Sequence, residues 1–169
     1  DQPLSTDSQV AIEFYQKGLD EFYLLKNDAA ILSLKKSISE DPGFAMAHAR
    51  LAVILNHENN TSESDLHSDI AESLLVFVDS DLEQDKIRLV MAHLKEIGLA
   101  EFDSLLDKVV QQAPDDLLVK ITKAGVLASR RDNKAVDIYK SIIDENPNFA
   151  PAYNMLGYAA AQSGNYQQA

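Results

Sequence analysis

Three proline-marked segments recur along the chain, and their spacing limits the possible folds more than any other feature. The segment Glu40-Asp-Pro42-Gly-Phe44-Ala closely matches Glu145-Asn-Pro147-Asn-Phe149-Ala, and a third segment surrounds Pro114. Pro114 and Pro147 lie 33 residues apart, whereas Pro42 and Pro114 lie 72 apart, which equals two repeats of 34 plus four inserted residues. A period of this length is typical of chains that stack copies of one small structural unit.

The stretches between the prolines favour helix. Five prolines and six glycines leave long uninterrupted segments in 169 residues, and strong helix formers dominate these segments. A content of 46% hydrophobic and 25% charged residues is typical of a folded, soluble chain. We therefore predict an all-α fold without a sheet. The predicted helices are 6–24, 27–40, 43–56, 64–79, 81–97, 99–112, 115–130, 133–145 and 148–162.

These landmarks resemble the tetratricopeptide repeat, whose pattern has a bulky residue at position four, a small one at eight, Ala at twenty and Pro at thirty-two. The first copy places Phe14, Gly18, Ala30 and Pro42 at these positions. The last copy has Tyr153, Leu156 and Gly157, then the turn Gly164-Asn165-Tyr166 and Ala169. The resemblance implies a right-handed superhelical solenoid of antiparallel helix pairs.

The resemblance covers nearly the whole chain and implies one domain, 1–169, with about four and a half repeats. Their approximate bounds are 11–44, 45–82, 83–116, 117–149 and an incomplete 150–169. Ser80 and Glu83 form a capping-box pattern that predicts the start of a helix. A looser resemblance, carried by Ser5–Ser8 and Asn154–Tyr158, is to bacterial envelope proteins of the same type.

Charge and hydropathy exclude several partners. The formal net charge of −12 disfavours nucleic acid and anionic membranes, because both require a basic surface. The longest apolar cluster, Leu74–Val78, is far shorter than the roughly 20 residues of a membrane span, so no membrane insertion is expected.

The absence of cysteine leaves the compartment open. The start at Asp1 is compatible with a removed signal peptide, a cleaved tag or a trimmed chain. The resemblance favours a periplasmic or secreted location, with the cytoplasm as the alternative.

No enzyme signature occurs in the sequence. The nucleophile elbow, the dinucleotide-binding glycine motif, the phosphate-binding glycine-lysine loop and the paired zinc-binding histidines are all absent. His48 and His93 fall within predicted helices at packing positions, where a buried ring with satisfied nitrogens is the simpler interpretation. We therefore predict no catalytic residues and no cofactor.

Histidines and carboxylates gather around the four-residue insertion. This set comprises His57, Glu58, Glu63, Asp65, His67 and Asp69. Such side chains can bind a divalent metal, but their spacing matches no known metal-binding loop. The span from Glu58 to Asp85 holds nine acidic residues and no Lys or Arg, which is typical of a solvated outer face. We predict no metal site here.

The resemblance implies a concave partner-binding groove formed by the first helix of each pair. The positions that contact ligands in the family are mostly apolar or aromatic here, and they include Phe22, Tyr23 and His57. Side chains at these positions also pack against neighbouring helices in many helical proteins, and this alternative stays open. The groove residues that we predict to contact the partner are Tyr15, Leu19, Met46, Asn56, Met91, Lys95 and Tyr158. With Lys95 as the only cation, a clamp for a terminal carboxylate is not expected.

Three functions remain in competition. A protein-interaction scaffold that binds a protein or peptide segment in the groove is favoured. The chain could instead be the regulatory or substrate-presenting region of a longer enzyme or regulator. A third alternative is an envelope carbohydrate or small-ligand binder that stacks on Tyr15, Tyr23 and Tyr158. Because the last repeat stops within its second helix, we expect a further helix after Ala169 or self-association through the open end.

Overall fold

The computed structural model describes residues 4–162, and these residues form an all-α structure with no β-strand. This confirms the predicted fold class of consecutive helix pairs. A single 3₁₀ turn, Leu75–Phe77, follows the fourth helix. The helices are α1 Gln9–Tyr23, α2 Asn27–Glu40, α3 Ala45–His57, α4 Thr61–Leu74, α5 Asp81–Met91, α6 Leu99–Gln112, α7 Leu117–Ser129, α8 Lys134–Glu145 and α9 Ala150–Gln162.

Several helix boundaries differ from the prediction, and local hydrogen bonds account for two of the differences. Helix α4 begins at Thr61 because the Asn60 side chain accepts a hydrogen bond from the Glu63 backbone N–H at 3.3 Å and caps the helix. Helix α5 ends at Met91 instead of extending to residue 97, since the N–H groups of residues 94 and 95 both turn back to the Met91 carbonyl. The second helix expected for the fifth repeat lies outside the described residues.

The capping box predicted at the start of α5 is half formed. The Ser80 hydroxyl accepts from the Glu83 N–H at 3.2 Å, as expected of an N-cap. The Glu83 carboxylate, however, accepts hydrogen bonds from the N–H and the hydroxyl of Ser5, both at 3.0 Å. Glu83 is thereby buried, and it fastens the segment before α1 to α5.

The backbone itself repeats at the turn inside each of the first four helix pairs. The non-glycine residues with positive φ among residues 4–162 are Leu25, Asn59, Glu96 and Arg131, with φ between 51° and 60°. At each of these turns, the residue that follows the one with positive φ donates its N–H to the carbonyl five residues before it, at 2.9 to 3.4 Å. This is the hydrogen bond of a left-handed helix C-terminus, and its recurrence shows one turn type used four times.

The chain divides into two compact units, residues 1–105 and 106–169. In the first, α1 packs on α2, α3 on α4, and α3 also contacts α2 and α5. Helix α3 is therefore covered on most of its surface, and nine of its residues are buried. Gly18 permits the close approach of α1 and α2, since a Cβ there would lie 2.9 Å from Leu34 Cγ. Ser37 ties the same pair together by donating to the Ala11 carbonyl at 2.7 Å.

The second unit is built in the same way. Helix α8 packs between α7 and α9, and its inner face buries Ala135, Tyr139 and Ile142. Burial raises the pKa of the Tyr139 phenol, so this ring stays neutral in the core. Gly157 occupies the small-residue position eight of the last repeat, where the pattern predicts a close approach of helices. No described atom lies within 4 Å of a Cβ built there, so this approach is not formed among the described residues.

Candidate partner-binding surface

Four of the predicted groove residues lie in the core of the first unit. Tyr15, Leu19, Met46 and Met91 are 3%, 9%, 1% and 2% exposed. Tyr15 packs its ring against Phe44, with ring centroids 5.1 Å apart. Side chains this deeply buried stabilise the helix packing, which is the alternative that the sequence left open. Direct contact between them and a partner would require the helices to move.

The other three predicted residues are accessible. Asn56 is exposed near the C-terminal end of α3, and Tyr158 on α9 is 74% exposed. Lys95 is partly exposed, but its ammonium group contacts Glu72 at 2.8 Å and Asp69 at 3.0 Å. These hydrogen bonds, with that to Glu72 the stronger cause, raise the pKa of Lys95. The lysine is thus engaged with two carboxylates of α4.

An aromatic cluster lies beside Asn56, where α1 and α3 end. The Phe22 ring lies 5.9 Å from that of Tyr23 and 6.3 Å from that of His57, measured between centroids. Phe22 and Tyr23 are half-buried, and His57 is exposed. We call Phe22, Tyr23, Asn56 and His57 the α1–α3 rim. The family positions pointed to these residues, and their place at the C-terminal ends of α1 and α3 is the signal that separates them from Tyr15 and Met46.

Two histidines face each other across α3 and α4. The Nδ1 atoms of His48 and His67 are 2.9 Å apart, and His48 Nε2 lies 3.2 Å from the Pro42 carbonyl. Because a carbonyl only accepts, Nε2 of His48 carries the proton, and its Nδ1 accepts from Nδ1–H of His67. Burial and the neighbouring His67 lower the pKa of His48 to about 4. Burial also lowers the pKa of His67. The pair is therefore neutral near pH 7.

The packing role predicted for His93 is wrong, because its side chain is exposed. The helix α5 that was expected to carry it ends at Met91, so His93 lies in the turn that follows. Its ring stacks on Phe102 of α6, with centroids 6.0 Å apart and planes inclined by 27°. His48, by contrast, is buried as predicted.

Three of the acidic groups around residue 60 are held by separate partners. Glu63 contacts Lys35 at 2.6 Å, and this ion pair is the main cause that lowers the pKa of Glu63. Glu58 accepts from the Asn27 amide at 2.6 Å, and Asp69 pairs with Lys95. Within residues 4–162, no three His, Asp or Glu side chains converge in a way that would hold a metal ion.

The second unit contains a shallow cleft of about 320 Å³ between the end of α6 and helices α7 and α8. Its wall includes Val110, Val119 and Ile138, with Lys120 and Lys123 beside them. The Lys120 ammonium group contacts Glu145 at 2.7 Å, which lowers the pKa of that carboxylate. The charge of Lys120 is thus neutralised within the unit.

Comparison with known proteins identifies one segment directly. Residues 138–169 match the model of the tetratricopeptide repeat, and the described part of this segment covers most of α8 and all of α9. No curated protein sequence matches the chain. A solved structure described as "YrrB: a TPR protein with an unusual peptide-binding site" is similar with a TM-score of 0.46 and 14% identity, over 94% of this chain and 80% of that one. The likeness to envelope proteins stays a prediction.

No helix among residues 4–162 has the length and apolar character that crossing a membrane requires. Repeats of the matched family typically form scaffolds that bind proteins or peptides. Residues 138–169 are thus similar to a tetratricopeptide repeat, and this segment continues the series of helix pairs that residues 4–162 form.

Proposed function

We propose that the chain is a protein-interaction scaffold that binds a segment of a partner protein at the α1–α3 rim. The observation that carries this proposal is the aromatic cluster around Phe22, which leaves three ring systems accessible beside an exposed amide. The rim lies at the ends of two helices whose middle sections are buried. Partner contact there needs no rearrangement of the core.

The chemistry of the rim suits a peptide. Aromatic side chains offer a large contact area and have few rotatable bonds to immobilise, so they are common anchors in interfaces. The Asn56 side chain can donate to a peptide carbonyl and accept from a peptide N–H at the same time. Phe22 is packed against two neighbouring rings, so its position is set before any ligand arrives.

Two lysines of the first unit are already paired and do not favour recognition of a free terminal carboxylate. Lys95 is neutralised by Asp69 and Glu72, and Lys35 by Glu63. We propose that the ligand is an internal segment, held by its side chains and backbone. The carbohydrate-binding alternative loses one of its three proposed platforms, because Tyr15 is buried.

The test uses peptides that are selected from a displayed library of random dodecapeptides by their binding to the purified chain. Their affinities are then measured against His57→Ala, with His93→Ala as the matched control, since both histidines are exposed and contact one phenylalanine ring. We expect His57→Ala to weaken binding by about ten-fold, the usual effect of an interface anchor, and His93→Ala to leave it unchanged. Equal affinities for both variants would contradict the proposal.

A further inference from the structure

A rigid turn between α4 and α5 presents two apolar side chains to solvent. Val76 is 79% exposed and Phe77 is 76% exposed, although their neighbours Leu75 and Val78 are buried at 9% and 3%. The Val78 N–H donates to the Leu75 carbonyl at 3.1 Å and closes the 3₁₀ turn. Leu75 and Val78 both belong to the core of the first unit. Anchoring these two residues forces the pair between them outwards.

The turn is also fixed from its C-terminal side. The Gln84 side-chain amide donates to the Val78 carbonyl at 2.8 Å, and Ser80 caps the following helix. The exposed pair is thus held in one arrangement by the core, a side-chain hydrogen bond and a helix cap. A preorganised apolar projection loses little entropy when a partner covers it.

Unpaired negative charge follows Val76 and Phe77 in the sequence. Acidic residues exceed basic ones by twelve within residues 1–105, while the two kinds are equal in number in 106–169. Lys35 pairs with Glu63, and Lys95 alone pairs with both Glu72 and Asp69. Asp79 and Asp81, which follow the turn directly, are exposed and form no ion pair with any residue between 4 and 162.

This charge selects among the occupants that could cover Val76 and Phe77. A second copy of the chain would bring the same carboxylates face to face, which is repulsive. An anionic bilayer is disfavoured for the same reason. A basic surface gains from both features, because it can bury the apolar pair while its cations approach Asp79 and Asp81.

We propose that the turn Leu75–Val78 is a second docking surface, which binds a basic amphipathic segment of a partner protein. The apolar side of that segment covers Val76 and Phe77, and its Lys or Arg residues lie beside Asp79 and Asp81. This surface is separate from the α1–α3 rim and does not depend on it.

The test selects peptides that bind the wild-type chain from a displayed library of random dodecapeptides. Peptides that also bind the Phe77→Ser variant are then removed. We expect the retained peptides to combine apolar residues with Lys or Arg, and to bind Phe77→Ser at least about ten-fold more weakly than wild type. The control is Leu32→Ser, which removes a leucine of α2 that is 63% exposed and should leave affinity unchanged. Asp79→Asn with Asp81→Asn should weaken binding and reduce its salt dependence.

Three results would overturn the proposal. One is a failure to retain any peptide by this selection, and another is a retained set without Lys or Arg. The third is Phe77-dependent binding of the chain to vesicles of phosphatidylcholine, which would assign the turn to a bilayer. If peptides selected without this removal step lose affinity for His57→Ala while no Phe77-dependent peptide is retained, the rim stands and the turn is removed. If Phe77-dependent peptides are retained while no selected peptide loses affinity for His57→Ala, the rim alone is removed. Circular dichroism verifies that each variant keeps its helical content.

Discussion

Acid should destabilise the first unit through the histidine pair of α3 and α4. His48 is 3% exposed, and its pKa is about 4 in the folded chain against an ordinary value of 6.5. Between these two pH values the unfolded chain binds more protons at this site than the folded one. The stabilisation is therefore complete above pH 6.5 and is lost as the pH falls towards 4.

The size of the effect follows from the shift in pKa. At 1.36 kcal/mol per pH unit, the full difference corresponds to about 3 kcal/mol, of which about 2 kcal/mol is lost between pH 7 and pH 5. A proton added to His48 Nδ1 would meet the N–H of His67 at 2.9 Å, so the hydrogen bond between the rings breaks. Asp41 raises the pKa of His48 and so opposes the lowering that burial causes. For His67, Glu63 likewise raises the pKa, whereas Lys35 lowers it further.

The assay is urea unfolding of the wild type and of His48→Gln at both pH values. Glutamine does not titrate, so the wild type should lose about 2 kcal/mol more of its free energy of unfolding than the variant on moving from pH 7 to pH 5. His93→Gln serves as the control for an exposed histidine and should behave as the wild type. An identical loss in the wild type and in His48→Gln would refute the reasoning.

Four further substitutions test the packing and the turns by chemical denaturation. Gly18→Ala should reduce the free energy of unfolding by about 1 to 3 kcal/mol, because the new methyl group would overlap Leu34, whereas Gly125→Ala in an open part of α7 should raise it by up to about 1 kcal/mol. Leu25→Gly should raise it by about 1 kcal/mol, since glycine accepts a φ of 59° without strain, and an unchanged midpoint would show that the turn is not strained. Tyr15→Ala should cost about 3 to 5 kcal/mol, and a selective loss of binding without loss of stability would contradict its place in the core.

The sequence predicted the helix pairs because the signals that define them are local. Pro42, Pro114 and Pro147 mark ends of repeats, and Ser80 caps α5 as its spacing indicated. The left-handed turns at Leu25 and Glu96 were not predictable in this way, since neither position carries the glycine or asparagine that usually signals such a turn. There the rest of the fold imposes a conformation that the residue itself disfavours.

The binding surface was less predictable because exposure depends on contacts between helices. Met46 occupies a ligand-contacting position in the family pattern, yet α2, α4 and α5 cover α3 so fully that its side chain is 1% exposed. Phe77 shows the reverse case, since it belongs to the longest apolar cluster of the sequence, but anchoring of Leu75 and Val78 leaves it in solvent. Periodicity identifies the face of a helix, and only the packing shows which part of that face remains open.

The most direct test of the scaffold proposal is a map of backbone amide chemical-shift changes on titration with a peptide that was selected on the wild-type chain. The account predicts that changes centre on Phe22, Tyr23, Asn56 and His57, and that the amides of the buried core of α3 shift little. Changes confined to residues 106–162, or no changes at saturating peptide, would contradict the assignment of the α1–α3 rim as the partner-binding surface.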